Sequence, residues 1–460
     1  MTPAPSAVGW RSPRAAVDPA TLVTFRVLLG LILAWGVLRT FASGWIAAHY
    51  VDPPFHFTWV GFDWVRPLGQ DGMQALFASL LLCALALALG IAPRLSALLL
   101  AAGFGYVFLL EQARYLNHMY LVELLLLLMA AAPLGADSTP SIWFGRRRPR
   151  RVPALPLLLL RSQIGLVYLF AGIAKLNSDW LSGHPLQEWL ADRSSHPVLG
   201  QLVLQSWAGL AFSWAGLAID LAAWPLLSWR RTRASMITLL LAFHLTNFAL
   251  FNIGIFPWLS MAALVLFVEP DAPRRLLRRL TSLTRGRADL DADEVGADEA
   301  DALEPARAAR APRLALGCAL LWLSVQLLVP LRHHLYPGDV AWNEEGHRFS
   351  WRMKLRGKDS TTVFLLRDKR TGERWLVEPR DELTPWQYDK MGGRPDMLLQ
   401  YARHLAARQA AAGRGEVEVR VTTEVSLNGR PPQPLVDPLV DLGAQPRNVW
   451  HRPWVLDGPE

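Results

Sequence analysis

The chain has 460 residues, 52% of them hydrophobic, and a mean hydropathy of +0.19, too apolar for an ordinary water-soluble enzyme. Its formal charge of +8 would suit nucleic acid, but the arginines sit in short segments between apolar runs. That is the distribution of membrane topology, and it argues against a nucleic-acid partner.

The N-terminal stretch MTPAPSAVGWRSPR is polar and Pro-rich. The first apolar run lacks a small-residue cleavage site, so a retained first helix is expected in place of a signal peptide. Nine apolar segments follow, at about 20–43, 72–92, 96–112, 116–134, 154–175, 201–227, 235–251, 255–269 and 313–331. In lipid such runs must be helices, because nothing else short of a closed barrel satisfies their backbone polar groups. The basic connections GWRSPR, Arg94, GRRRPRR (145–151), WRRTR (229–233) and RRLLRR (274–279) all fall on one side if each segment crosses once, with Arg114 a mild exception. Nine crossings from a cytoplasmic N-terminus leave the C-terminus outside. Cys83 and Cys318 lie within apolar runs without metal-ligand spacing, and nothing supports a bridge between them.

Residues 285–312, rich in Ala, Asp and Glu and without apolar periodicity, read as a cytoplasmic linker. Beyond the last crossing the pattern changes. STTVFLLRDKRTGERWLVEP reads as two strands around an Arg-Thr-Gly-Glu turn, RPDMLLQYARHLAARQAA as an amphipathic helix, and GEVEVRVTTEVSLNG as a strand. The expected fold is an α-helical integral membrane bundle with a C-terminal mixed α/β, β-rich extracytoplasmic domain. Residues 1–284 form its membrane-embedded catalytic part, 285–312 the linker, 313–331 the last crossing and 332–460 the outer domain.

Ionisable side chains inside membrane spans are costly and mark functional sites. Here they are Arg26, Glu111, Arg114, His118, Glu123, Arg161, Lys175, Asp220 and His244. Arg26 and Arg161 suit bonds to backbone carbonyls, Asp220 suits a pair with either arginine, and a lone His244 on an apolar face reads first as a satisfied core histidine.

Lys175 stands apart as the only lysine before Lys354. Two readings of it are open. Burial disfavours an ammonium, so the amine can be neutral near pH 7 and act as a general base. A long stem at the outer end of a helix can instead snorkel to the interface, although no second cation accompanies it. Asn117 and His118, in YLNHMYL, lie at the same depth, as do His244, Asn247 and Asn252 in FHLTNFALFNIGIFPW. Together with the Trp-rich loop NSDWLSGHPLQEW they make a polar pocket in an apolar wall. No cysteine–histidine cluster, paired acidic metal site, P-loop or dinucleotide glycine motif occurs, so no metal is expected.

FRVLLG (25–30), YVFLLEQARYLNHMYL (106–121), VYLFAGIAKLNSDW (167–180), IGIFPW (253–258), RTGERWLVEP (370–379), PDMLLQYA (395–402) and SLNGRPPQPLVDPLVD (426–441) resemble the vitamin K-dependent gamma-carboxylase family, within the wider HTTM membrane group. The resemblance implies two coupled reactions: oxidation of vitamin K hydroquinone by O2 to its epoxide, and carboxylation of a peptide glutamate by CO2. It further implies Lys175 as the base toward the hydroquinone, His118 as a catalytic histidine, and Tyr168 at the quinone site with Asn117, His244 and Asn247. Trp180 and the segment around Tyr401 then serve the glutamate substrate, a secreted peptide or protein. A γ-hydrogen of glutamate is too weak an acid for any side chain, so the base must be generated by oxidation in a dry cavity that a lipophilic quinol can reach. Lysine suits the first proton transfer because burial can make it neutral, which arginine does not allow.

The cysteine positions do not support a disulfide of the animal type. The arginine-for-lysine bias and compact outer domain imply a bacterial inner-membrane protein with a periplasmic C-terminal domain. The alternatives are a quinol epoxidase that carboxylates no peptide, or a non-enzymatic quinone- or lipid-binding membrane protein or transporter. Paired half-length repeats are lacking, which counts against transport.

Overall fold

The computed structural model describes residue 13 and residues 15–132, 151–197, 199–251, 253–282 and 313–459. Segment 145–150, the 285–312 linker and Asn252 lie outside the described residues. Seven helices are long and apolar enough to cross a bilayer: α1 (Ala20–Ala42), α2 (Gly69–Leu89), α3 (Pro93–Leu110), α5 (Leu155–Ala174), α7 (Ala208–Ser228), α8 (Arg233–Leu250) and α11, which runs Arg313–Leu331 and continues as a 3-10 turn to Leu335. Two shorter apolar helices, α4 (Asn117–Ala131) and α9 (Phe256–Ala263), fall on the remaining two apolar segments. Helix α6 (His184–Ala191) lies in the connection after α5, and α10 (Ala272–Ser282) follows α9.

The ends of these helices obey local chemistry. Gly90 closes α2 in the left-handed conformation at φ 82°, which favours glycine, and Pro93 opens α3, where a missing N–H costs nothing. Helix α5 lies against α7 at two glycines one heptad apart: a Cβ on Gly165 would run into the Trp224 ring, and one on Gly172 would come within 2.6 Å of Leu221. Small residues let membrane helices approach closely where no hydrophobic drive exists between them. Around the bundle Leu82, Leu320, Leu321 and Leu328 remain exposed, a surface for lipid rather than water.

In the C-terminal part, β3 (Lys358–Asp368) turns through residues 369–373 into β4 (Arg374–Val377), and β5 (Val417–Leu427) pairs antiparallel with β3 from Lys358↔Leu427 to Asp368↔Val417. With β6 (Gln433–Pro434) the sheet order is β4-β3-β5-β6. β1 (Ala16–Val17) and β2 (Val152–Pro153) form a separate two-stranded pair. Asp368 Oδ1 accepts the Arg370 and Thr371 N–H groups, and Gly372 takes φ 76°, so turn chemistry sets the β3–β4 register. Strand β5 alternates strictly, burying Val417, Val419, Val421, Thr423, Val425 and Leu427 beneath α13 (Pro395–Ala411). A short helix α12 (Pro385–Met391) precedes α13.

Buried amides join this part to the bundle. Gln387 of α12 donates to Phe55 O at 2.8 Å and to Glu111 Oε2 at 2.9 Å, while Gln400 of α13 donates to Gln112 Oε1 at 2.7 Å. These bonds fix the turn between α3 and α4, and so the start of α4. Cys83 and Cys318 are both free thiols.

Candidate active site

Lys175 caps α5 at its C-terminus and is buried, not snorkelled. It is also not alone. Its Nζ donates to Asp220 Oδ2 of α7 at 2.5 Å and to Ala171 O at 3.3 Å, and sits 5.1 Å from the centre of the Trp180 ring. The expected solitary amine is therefore half of a buried ion pair, and Asp220 takes Lys175 rather than Arg26 or Arg161 as its partner. The reason is geometric, since α5 and α7 pack closely at their small residues. A Cβ on Gly216, one turn before Asp220, would come into contact with Trp180 and the Lys175 stem. Arg161 does bond to backbone carbonyls, those of Leu266 and Val268.

Trp180 owes its place to local capping. The Asn177 side chain accepts the Trp180 N–H at 3.0 Å and starts a single helical turn, and the indole Nε1 donates to Ser213 O at 2.8 Å. The ring thus forms a buried wall beside Lys175 rather than part of a surface loop.

Asn117 and His118 open α4. Glu111 Oε1 accepts the Ala113 N–H at 2.9 Å, shaping the 3-10 turn before them, and the Tyr115 hydroxyl donates to Asn117 Oδ1 at 2.8 Å while accepting the Phe349 N–H at 2.6 Å. The His118 ring lies 6.1 Å from that of Phe256.

These groups share a cavity of about 700 Å³. Val37, Phe104, Ile164 and Phe243 contribute apolar wall, and Lys175, Asp220, Asn117, His118 and Asn247 contribute polar wall. Tyr168 and His244 also line it, joined by a 2.7 Å bond between the Tyr168 hydroxyl and His244 Nε2. Among the described residues His244 Nδ1 is buried without a partner, so His244 is only half satisfied as a core histidine there. The size and the apolar-with-few-polar lining fit a small lipophilic ring compound.

Four further cations line the same cavity: Arg39, Arg114, Lys354 and Lys390. The Arg114 guanidinium lies over the rings of Trp45 and Trp386, at 4.7 and 5.8 Å, and the Lys354 ammonium over Trp189 and Phe251, at 5.2 and 5.6 Å. Burial, then the nearby Arg193, pushes Lys354 below the ordinary lysine range; burial, then Arg394, does the same to Lys390. Lys354, the next lysine in the chain after Lys175, thus lines the same space. No periodicity surrounds it in the sequence, and only its place as the second lysine sets it apart.

Tyr401 does not join this group. It is fully buried in the core of the C-terminal part against Phe55 and Phe364, and its hydroxyl donates to Glu382 Oε2 at 3.0 Å. An aromatic side chain on the inner face of an amphipathic helix serves packing first, and Tyr401 stands in that core rather than on the cavity wall.

Two family models match the chain. The HTTM domain covers residues 14–272, and the vitamin K-dependent gamma-carboxylase lumenal domain covers residues 311–460. No solved structure matches it. The membrane bundle and the β-containing part each fall within one of these two matches, and the chain belongs to the vitamin K-dependent gamma-carboxylase family, as a membrane protein with an extracytoplasmic domain.

Proposed function

We propose that the protein is a γ-glutamyl carboxylase that couples oxidation of vitamin K hydroquinone by O2 to its epoxide with addition of CO2 to a peptide glutamate. The observation that carries this reading is the Lys175–Asp220 pair and the Tyr168–His244 pair facing one largely apolar cavity, in a chain matched by both family models. When bound, the hydroquinone supplies the oxidation that generates a base strong enough for the glutamate γ-carbon.

The residues supply the remainder. Lys175, with Asp220, receives a proton from the quinol hydroxyl. Tyr168 holds His244 through Nε2, leaving Nδ1 for a quinol oxygen. Asn117 and His118 orient the ring from the α4 side. Arg39, Arg114, Lys354 and Lys390 suit the carboxylate of the glutamate, since three of the four lie over aromatic rings (Arg39 over Trp35) and leave their charge to an anionic guest. Apolar walls keep water from the generated base. In this reading residues 1–284 carry the redox site, 285–312 link it on the cytoplasmic side to the last crossing at 313–331, and 332–460 present the peptide from the extracytoplasmic side.

Purified protein given vitamin K hydroquinone, labelled bicarbonate and glutamate peptides is expected to fix label and form epoxide, and Lys175→Ala to lose both by at least about 100-fold. Epoxide without fixed label under any peptide reduces the activity to a quinol epoxidase. Hydroquinone binding without oxygen uptake removes the enzyme altogether.

A further inference from the structure

We infer that Asp220 is the final acceptor of the quinol proton, reached through Lys175, so that the base of the site is the ion pair and not the amine. The inference rests on the functional reading above.

An ammonium has no lone pair and cannot accept a proton until it has released one. Lys175 Nζ has two partners, the Ala171 carbonyl, which is no base, and Asp220 Oδ2 at 2.5 Å. Lys175 is in turn the one hydrogen-bond donor on the Asp220 carboxylate among the described residues. Tyr168 on α5 lines the same cavity, but its hydroxyl is committed to His244. Both members of the pair are buried and both line the cavity.

The step balances within this set. The quinol O–H bond breaks, its electron pair stays on the quinol oxygen, and a new N–H bond forms on Lys175. One existing N–H bond of Lys175 breaks, and an O–H bond forms on Asp220 Oδ2. Starting from the ion pair, the end state is an ammonium beside a neutral carboxylic acid. Only the pair as a unit has a defined proton count. Its charge rises from zero to plus one as the quinol becomes negative, so the new anion is made beside a new cation and neither charge stands isolated in the buried site. Asp220 acts here through Lys175, as a positioning residue that also stores the proton.

The test uses the full-length protein in lipid, without oxygen, mixed with vitamin K hydroquinone and followed by infrared difference spectroscopy. A new carboxylic acid C=O band is expected, shifted by 13C-aspartate labelling and missing from Asp220→Asn. Asp220→Asn is expected to form epoxide at least about 100-fold more slowly with hydroquinone affinity retained. Asp220→Glu, which keeps the acid should asparagine destabilise the bundle, is expected to recover part of the rate and to show the band on 13C-glutamate labelling. A wild-type protein that makes epoxide without any aspartate band, or an Asp220→Asn that keeps the wild-type rate, overturns the inference while leaving the functional reading intact. A wild-type protein that consumes no oxygen with the hydroquinone overturns both.

Discussion

At the scale of single residues, the polar wall of the cavity is a small number of bonds, each with a defined consequence. Tyr168→Phe removes the hydroxyl that holds His244 Nε2 and leaves that ring with no side-chain partner among the described residues. A lost neutral hydrogen bond costs about 1 kcal/mol, so hydroquinone affinity is expected to fall roughly fivefold to tenfold. Titration of the variant with hydroquinone under anaerobic conditions checks this, and an unchanged dissociation constant would remove Tyr168 from the binding wall. Much of this wall was legible in the sequence, because Asn117, His118, Lys175 and His244 are polar groups in apolar runs and lipid tolerates few of those. The partner of Lys175 was not. Asp220 stands 45 positions away on another helix, and only the close approach of α5 and α7 decides which cation it meets.

At the scale of elements, apolar periodicity set the helices and strict alternation set β5, since each pattern maps directly onto which face is buried. Short irregular connections carry no such pattern, and one of them builds a charged core. The turn Val340–Asn343 ends at Glu344, whose buried carboxylate accepts Arg356 Nε at 2.6 Å and Lys358 Nζ at 3.0 Å, tying that turn to the start of β3. Arg356 and Lys358 overcome the burial penalty and hold the Glu344 carboxyl well below its usual range. Lys358, buried and sharing one carboxylate with Arg356, is itself pushed down to about 8. The signs follow from proton counts. As pH falls below about 4.5 the unfolded chain takes up a proton at Glu344 before the folded one does, so this contribution is complete above that value and lost on further acidification. Lys358 acts in the opposite range: between about 8 and 10.5 the unfolded chain binds the extra proton, and stability from this group rises with pH. Thermal unfolding in detergent across pH is expected to show a steep acid limb that flattens in Glu344→Gln. At neutral pH that variant should lose about 3–5 kcal/mol, because two buried cations are left with an amide. An acid limb of unchanged steepness in the variant would place the titrating group elsewhere.

At the scale of the whole molecule, seven of the nine apolar segments form helices long enough to cross a bilayer by length and composition, and two form shorter ones among the described residues. Helix α4 has 15 residues, about 22 Å of helix, against roughly 30 Å of hydrocarbon, and α9 is shorter still. Their starts, Asn117 and the Gly254–Phe256 turn, both line the cavity. The same cavity is closed from the other side by the C-terminal part, and one clamp joins the two beside Lys175. Arg430, beyond β5, donates to both Asp179 oxygens at 2.6 and 2.9 Å, and Asn428 donates to Asp179 at 2.6 Å. Neither segment hints at the other in the sequence, since they lie some 250 positions apart and a single surface aspartate is unremarkable by composition. Asp179 follows Lys175 by four residues and adjoins Trp180, whose indole is fixed to α7. The clamp therefore sets where the lysine loop sits relative to the part proposed to present the peptide. The pair is partly solvated, at 31% and 15% side-chain exposure, so Arg430→Gln is expected to cost no more than about 1 kcal/mol of stability. Its larger expected effects are faster amide hydrogen exchange across residues 176–191 and less label fixed per epoxide formed, because the proposed function places the redox chemistry within the bundle and peptide presentation in the C-terminal part. Exchange rates and a label-to-epoxide ratio equal to those of the wild type would mean that the two parts keep their register without this contact.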